Sequence, residues 1–261
     1  MSLDINTAPE SLVHFLGSGS SGNCIVIEAP EGVVLVDVGF SARETLRRLG
    51  TLGIDPERLR AIIVTHEHGD HVRGVRVLAK RLSVPVYSSA GTRRAAFLDR
   101  ECQDSRVLAP ADPTTIAGAN VIAFRASHDT VEPIGVRVEL PQGAVTVVTD
   151  TGEITAEARE AMRDSAVLAV ECNHDVDMLT NGPYPWFLKQ RILSTRGHLS
   201  NVDAATAIAD ACHDSLTAIY ALHLSETNNA PRHVRTSVDT TLERIGHPCR
   251  VRIVGPLGCS D

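Results

Sequence analysis

The chain contains no apolar run long enough to cross a bilayer: stretches such as 33–36 and 166–170 end within five residues. Its six cysteines (Cys24, Cys102, Cys172, Cys212, Cys249 and Cys259) include no Cys-x-x-Cys pair. In a chain of 261 residues they read as reduced, mostly buried thiols of a cytoplasmic protein, not as a disulfide framework. Aromatic residues make up only 3%, so Ala, Val, Ile and Leu must build the core. No charged-then-apolar leader opens the chain; residues 1–10 are polar with two acids, and no secretory signal is expected. Positive charge is also lacking. The formal net charge of −7 argues against a generally basic nucleic-acid surface, although two bound dications would offset four of those charges where a phosphate would sit. Repeats, low-complexity tracts and long linkers are absent, which predicts one domain over residues 1–261 with a flexible N-terminus of about ten residues.

What is present is a β-rich first part followed by alternation. Residues 12–16, 24–28 and 33–38 read as short strands between Gly and Pro turn signals. A helix at 42–49 follows, with Ser41 as its N-cap. The strand 61–64 leads into a histidine cluster, and 71–82 has helical spacing at Val72, Val75, Leu78 and Ala79. A strand is expected at 84–87. Strands at 120–126, 134–140 and 144–149 follow, the last two joined at Pro141-Gln142-Gly143. Helices at 156–163, 201–211 and 231–245 then precede strands at 166–171, 216–222 and 250–254. This order predicts two packed β-sheets with helices outside.

The densest chemistry lies in Thr65-His66-Glu67-His68-Gly69-Asp70-His71, where four potential ligands fall within six residues. Histidines at i and i+2 of an extended loop project the same way and can reach one cation. Gly69 permits a sharp bend, after which Asp70 and His71 open a helix and can address a second. Imidazole and carboxylate donors suit Zn²⁺, Mn²⁺ or Fe. The competing reading is a polar loop that only caps the helix.

Following a short apolar strand, this His-x-His-x-Asp-His pattern resembles the metallo-β-lactamase superfamily, and further segments fall in that family's order. Asp37, in Leu35-Val36-Asp37-Val38-Gly39, matches the acid that supports the metal loop; His128 matches the third histidine of the first site. Asp150 matches the bridging carboxylate and His223 the last histidine. The resemblance implies an α+β fold, the αββα sandwich of two mixed sheets with helices on the outside. It implies that His66, His68 and His128 hold one metal and Asp70, His71 and His223 a second. Asp150 and a hydroxide would bridge them, with Asp70 orienting the hydroxide.

Other segments narrow the substrate. Glu171-Cys172-Asn173-His174-Asp175, Gly182-Pro183-Tyr184-Pro185-Trp186, Gly197-His198-Leu199-Ser200-Asn201 and the run from His223 to Asn229 closely resemble the WalJ (YycJ) family. So does Gly17-Ser18-Gly19-Ser20-Ser21-Gly22-Asn23, which reads as a tight turn lining the metal cleft. Members of that family are implicated as 5′→3′ DNA exonucleases. The Glu171 and Gly197-His198 segments are also similar to those of ribonuclease Z, where the matching Glu and His assist protonation of the leaving oxygen. His198 carries that sense by itself: it precedes the helix at 201–211, whose N-terminus favours a phosphate oxygen, and Glu171 can hold its ring while it gives up a proton. A plain helix-capping loop is the alternative.

Tyr184 and Trp186 can stack on a base or act as a structural wedge. His174 and Asp175 either line the cleft or close a turn. Lys189, Arg191, Arg196, Arg232 and Arg235 can contact phosphates or form a solvated face. The 73 positions between Asp150 and His223 are too few for the inserted domain of β-CASP nucleases, and the lack of a basic Gly/Pro-rich arm disfavours transfer-RNA processing. The expectation is therefore a dinuclear phosphodiesterase acting on nucleic acid, most readily DNA, with no membrane partner. Two other classes share the ligands: a small-molecule hydrolase, either a thioesterase resembling glyoxalase II or a lactamase-like enzyme, and a non-catalytic metal-binding member of the fold.

Overall fold

The computed structural model describes residues 7–260. Of the N-terminal ten residues expected to be flexible, 1–6 lie outside the described residues, and Pro9–Leu12 forms one 3₁₀ turn.

Six strands form the first sheet in sequence order: β1 (Val13–Gly17), β2 (Cys24–Ala29), β3 (Gly32–Val36), β4 (Leu59–Val64), β5 (Val86–Ser88) and β6 (Ser105–Val107). The second holds β7 (Thr114–Ile116), β8 (Ala119–Arg125), β9 (Ile134–Leu140), β10 (Gly143–Val148), β11 (Ser165–Glu171), β12 (Ala218–Leu222), β13 (Val251–Gly255) and β14 (Gly258–Ser260), also in order. Both sheets begin as antiparallel hairpins and become parallel, from β3 to β6 and from β10 to β13. The change follows from the connections. Short turns such as Pro141-Gln142 can only reverse a strand, whereas a parallel neighbour needs a longer crossover.

The two-residue period of the strands builds the layers. In β3, Val34 and Val36 point into the core between the sheets, while Val33 and Leu35 pack under helices Ala42–Thr51 and Val75–Leu82. In β11, Val167 and Ala169 face the inter-sheet core, and Leu168 and Val170 face helices Asn201–Ala211 and Pro231–Arg244. Every residue of β3 and β11 is buried, as strands covered on both faces require. The result is the expected αββα sandwich. Its inter-sheet core is aliphatic, with Phe15 against Tyr220 as a close aromatic pair at 4.5 Å between ring centroids.

The N-cap expected at Ser41 is present, and two more helices are capped in the same way. The side chain of Ser41 accepts from Glu44 N–H, Thr155 from Ala158 N–H and Ser200 from Asp203 N–H. One expected element is corrected: the helix read over 71–82 is two, Gly69–Val72 and Val75–Leu82. The backbone there bonds outward. Val38 N–H donates to His71 C=O at 2.8 Å and Gly74 N–H to Val38 C=O at 2.9 Å. A Cβ on Gly74 would overlap the Phe40 carbonyl oxygen, so periodicity is overridden by a long-range clamp.

This framework aims five residues at one place. Asp37, His66, Asp150 and His223 follow β3, β4, β10 and β12, and Glu171 ends β11. Chemistry thus gathers at the carboxyl ends of parallel strands from both sheets.

Candidate metal centre

His66, His68 and His128 present ring nitrogens that all lie within 4.8 Å of one another, and so do the ligand atoms of Asp70, His71 and His223. Asp150 lies between the two groups. One of its carboxylate oxygens is 3.2 Å from His223 Nδ1 and 3.9 Å from His128 Nε2, and the other is 3.2 Å from His71 Nε2. His66 Nε2 and His223 Nε2 are buried without a hydrogen-bond partner among the described residues. Buried imidazole nitrogens without partners are costly unless something electrophilic takes their lone pairs. The residues therefore fit divalent cations.

Two buried carboxylates hold the rings from behind. Asp37 accepts Thr65 N–H at 2.8 Å, Thr65 O–H at 2.8 Å and His71 Nδ1–H at 2.7 Å. Because the Thr65 hydroxyl donates to Asp37, its oxygen accepts from His66 Nδ1–H at 3.0 Å. Both Nε2 atoms are thereby left to the cavity. Across the site, Glu171 accepts His198 Nδ1–H at 2.7 Å and His223 Nδ1–H at 3.2 Å through Oε1, and Thr151 N–H at 2.8 Å and Leu199 N–H at 3.3 Å through Oε2. His128 Nδ1–H donates to the Gly197 carbonyl at 2.9 Å. Such partners fix tautomer and ring orientation around bound metals. The strand-end turns themselves are unusual: Asp37, Asp150 and His223 adopt φ of 62°, 48° and 54°, a left-handed conformation that costs about 1–3 kcal/mol each and persists where the surroundings impose it.

The beta-lactamase superfamily domain matches residues 33–223. The chain belongs to that superfamily. Within the superfamily it is 36% identical to exodeoxyribonuclease YycJ of Bacillus anthracis over 239 residues, 90% of each chain, and this likeness makes it a hydrolase. Among solved structures, the metallo-β-lactamase fold protein YhfI of Bacillus subtilis superposes with a TM-score of 0.72 at 17% identity, covering 94% of this chain and 96% of that one. Human tRNase Z, short form, gives 0.63 at 18% identity, covering 82% and 93%.

Several of the superfamily member's supporting residues carried no sequence signal. Asn23, at the end of the glycine-rich turn, donates from Nδ2 to Asp70 Oδ2 at 3.4 Å and lies 3.0 Å from His71 Nε2; its backbone N–H also donates to Asp70 C=O at 2.8 Å. That turn does line the cleft. The second task of Glu171, holding His223 as well as His198, was not foreseen either. His174 is buried and forms an isolated β-bridge with Ser200, its carbonyl accepting Asn201 N–H at 2.9 Å. Of the basic residues read as contacting phosphate or forming a solvated face, several bond to protein. Arg191 pairs with Asp129, Arg196 donates to the carbonyls of His128 and Thr130, and Arg235 donates to Val251.

Electrostatics divide the site. Burial and the facing His71 push His66 well below the usual histidine range, and burial with His198 nearby lowers His128, so both keep free lone pairs at neutral pH. Burial opposes a charge on His71, but Asp150 and Asp37 raise it well above that range. Burial likewise penalises Asp150, yet His223 and His71 hold it well below the usual carboxylate range. The second group of ligands thus demands positive charge.

Gly39 locks three loops together. A Cβ there would overlap the Asp70 carbonyl oxygen and lie 2.5 Å from Asn23 N, and both atoms are backbone that cannot rotate aside. Gly39→Ala is expected to cost about 1–3 kcal/mol or more, a fall in melting temperature of roughly 2–4 °C per kcal/mol. It is also expected to lower metal occupancy. Thermal denaturation and metal analysis on the purified variant check both.

Proposed function

We propose that the chain is a single-domain cytoplasmic phosphodiesterase that cuts nucleic acid, acting on DNA as a 5′→3′ exonuclease with two divalent cations, Zn²⁺ or Mn²⁺. His66, His68 and His128 would hold one cation, Asp70, His71 and His223 the other, and Asp150 both. Bound there, the cations lower the pKa of water and offset charge on a phosphate undergoing attack. The unpaired cysteines support the cytoplasmic assignment. No described helix is long and apolar enough to cross a membrane.

The observation that carries this reading is the 2.7 Å hydrogen bond between His198 and Glu171. Burial would lower the His198 pKa, but the Glu171 carboxylate raises it above the usual histidine value. Its Nδ1–H is committed to Glu171, which leaves Nε2–H as the proton to give. Such a group serves the departure of an alkoxide, as in phosphodiester cleavage. A thiolate, with a pKa near 8.5 for a free thiol, leaves without help, so a thioesterase has no use for the pair. Asp70 is held below the usual carboxylate range by His223 and His71 against its burial; ionised, it can accept a proton from attacking water and orient it. The name of the relative YycJ, an exodeoxyribonuclease, supports the choice of DNA.

The test compares wild type with His68→Ala on 5′-labelled duplex DNA, bis(p-nitrophenyl) phosphate and a glutathione thioester, each with added Mn²⁺ or Zn²⁺. Wild type should cleave the phosphodiesters, and His68→Ala should lose about 10²-fold or more, as removal of a group serving the transition state does. Thioester cleavage without phosphodiester cleavage would overturn the proposal.

A further inference from the structure

The chain leaves the site at Glu171 and returns at His198. The excursion between them includes two short helices, Val176–Asn181 and Trp186–Ile192. Trp186 and Phe187 open the second helix and are 66% and 72% exposed. Val176 and Leu193 are exposed on the same excursion. The wedge reading of Trp186 is thereby excluded, because a wedge would be buried. In a protein with one Trp and five Phe, leaving two adjacent large rings in water costs burial that a core would have used.

Three further facts say what covers these rings. The excursion is tied to the candidate site, since His198 N–H donates to the Ile192 carbonyl at 3.0 Å and Arg191 pairs with Asp129 beside His128. At 1.5 Å rise per residue, Trp186 begins about 9 Å along its helix from Ile192, roughly two to three stacked nucleotides at 3.4 Å. Charge is the second fact. Between Asp177 and Asp203 there is no acid; Arg191 is offset by Asp129, but Lys189 and Arg196 bond to carbonyl oxygens and keep their charge, in a chain of net charge −7. Rigidity is the third: Pro185 is the N-cap of this helix with φ of −60°, so the rings are presented by a chain already restricted in its backbone.

We propose that Trp186 and Phe187 form a platform on which the bases of a single DNA strand stack beside the cleavage site. The platform rests on the phosphodiesterase reading above. Stacking on exposed aromatic rings is sequence-tolerant, because every base has a π-face, and the surrounding positive charge attracts the strand locally while the rest of the surface repels it. The pair would therefore select ends whose bases are unpaired or fray.

Trp186 is the chain's single tryptophan, so its emission reports on the platform directly. Metal-loaded protein is titrated with a phosphorothioate dodecathymidylate and with an abasic strand of the same length and charge. The base-bearing strand should quench the emission and bind on the order of tenfold more tightly than the abasic one, the scale of one stacked base. Phe187→Ala, which truncates an exposed ring and leaves the core untouched, should weaken the base-bearing strand by a similar factor. Equal affinity for the two strands, or emission that does not respond, overturns the platform. If an unmodified labelled strand is still cut while emission stays silent, only the platform falls. If no strand binds or is cut, the phosphodiesterase reading falls with it. Emission that changes with protein concentration and not with DNA would assign the rings to contact with a second copy and overturn the proposal.

Discussion

His198→Ala is expected to lower kcat on DNA by about 10²–10⁴-fold, the usual contribution of a positioned acid, with metal content retained. The protonated imidazole is the working form, so turnover should be full below its pKa and fall as pH rises through it. Glu171 sets where that happens. Its own carboxyl, despite burial that would raise it, is brought down to about 2 by His198 and by the bonds from His198 and His223. The pair therefore stays charged on both sides to a higher pH than a free histidine would allow. Glu171→Gln removes the negative partner, and the alkaline limb of the kcat profile should move to lower pH. The same pairing has a stability consequence with its own sign. A depressed carboxyl stabilises the fold above the ordinary carboxylate value, and that contribution is lost as pH falls from there towards about 2. Thermal melts of wild type should therefore steepen in their acid dependence relative to Glu171→Gln. Turnover of His198→Ala within threefold of wild type, with an unmoved alkaline limb in Glu171→Gln, would remove His198 from the chemistry.

Asp37→Asn is expected to destabilise the metal-free protein by about 3–5 kcal/mol, the cost of breaking a buried charged network, and to weaken metal binding 10–100-fold. Asp37 is 2% exposed and accepts three donors from Thr65 and His71. An amide has one oxygen for those three protons, and its NH₂ would face the His71 and Thr65 donors. The substitution isolates that chemistry from the backbone, because Asn tolerates the left-handed φ of 62° at this position at least as well as Asp. The expected fault is local. Thr65 loses its anchor, His66 loses the orientation of Nδ1, and both Nε2 atoms become free to turn from the cavity. Chemical denaturation of the metal-free form and competitive metal titration measure the two effects. A variant with wild-type affinity and stability would show that Asp37 supports neither the loop nor the ligands.

The parts of this site that were legible in sequence are those carried by contiguous residues or strand ends. His66, His68, Asp70 and His71 share one short loop, and the local period of a strand followed by a bend already brings their side chains together. Asp37, His128, Asp150 and His223 were legible only through the resemblance, since one His or Asp after a strand is usually just a polar residue at a turn. What remained hidden depends on contacts between distant segments. The break after Val72 comes from hydrogen bonds of His71 and Gly74 to Val38, more than thirty positions earlier, against a periodicity that favoured one helix. The carbonyl of Gly197 that orients His128 has no side chain to announce it. Asn23 reads as the end of a turn until Asp70 is placed beside it. Left-handed backbone at Asp37, Asp150 and His223 is equally silent, because none of them is glycine. The sequence leaves the arginines open between phosphate contact and a solvated face; Arg191 and Arg196 in fact help to hold the loop of His128.

The most direct test of the account strips the protein with a chelator, returns Mn²⁺ or Zn²⁺ stepwise, and follows release of the label from 5′-labelled DNA against metal bound per chain. Hydrolysis should be lost on chelation, return with added metal, and reach its plateau at two equivalents, with Asp150→Ala failing to recover. A plateau at one equivalent, or DNA hydrolysis that survives complete removal of metal, would contradict it.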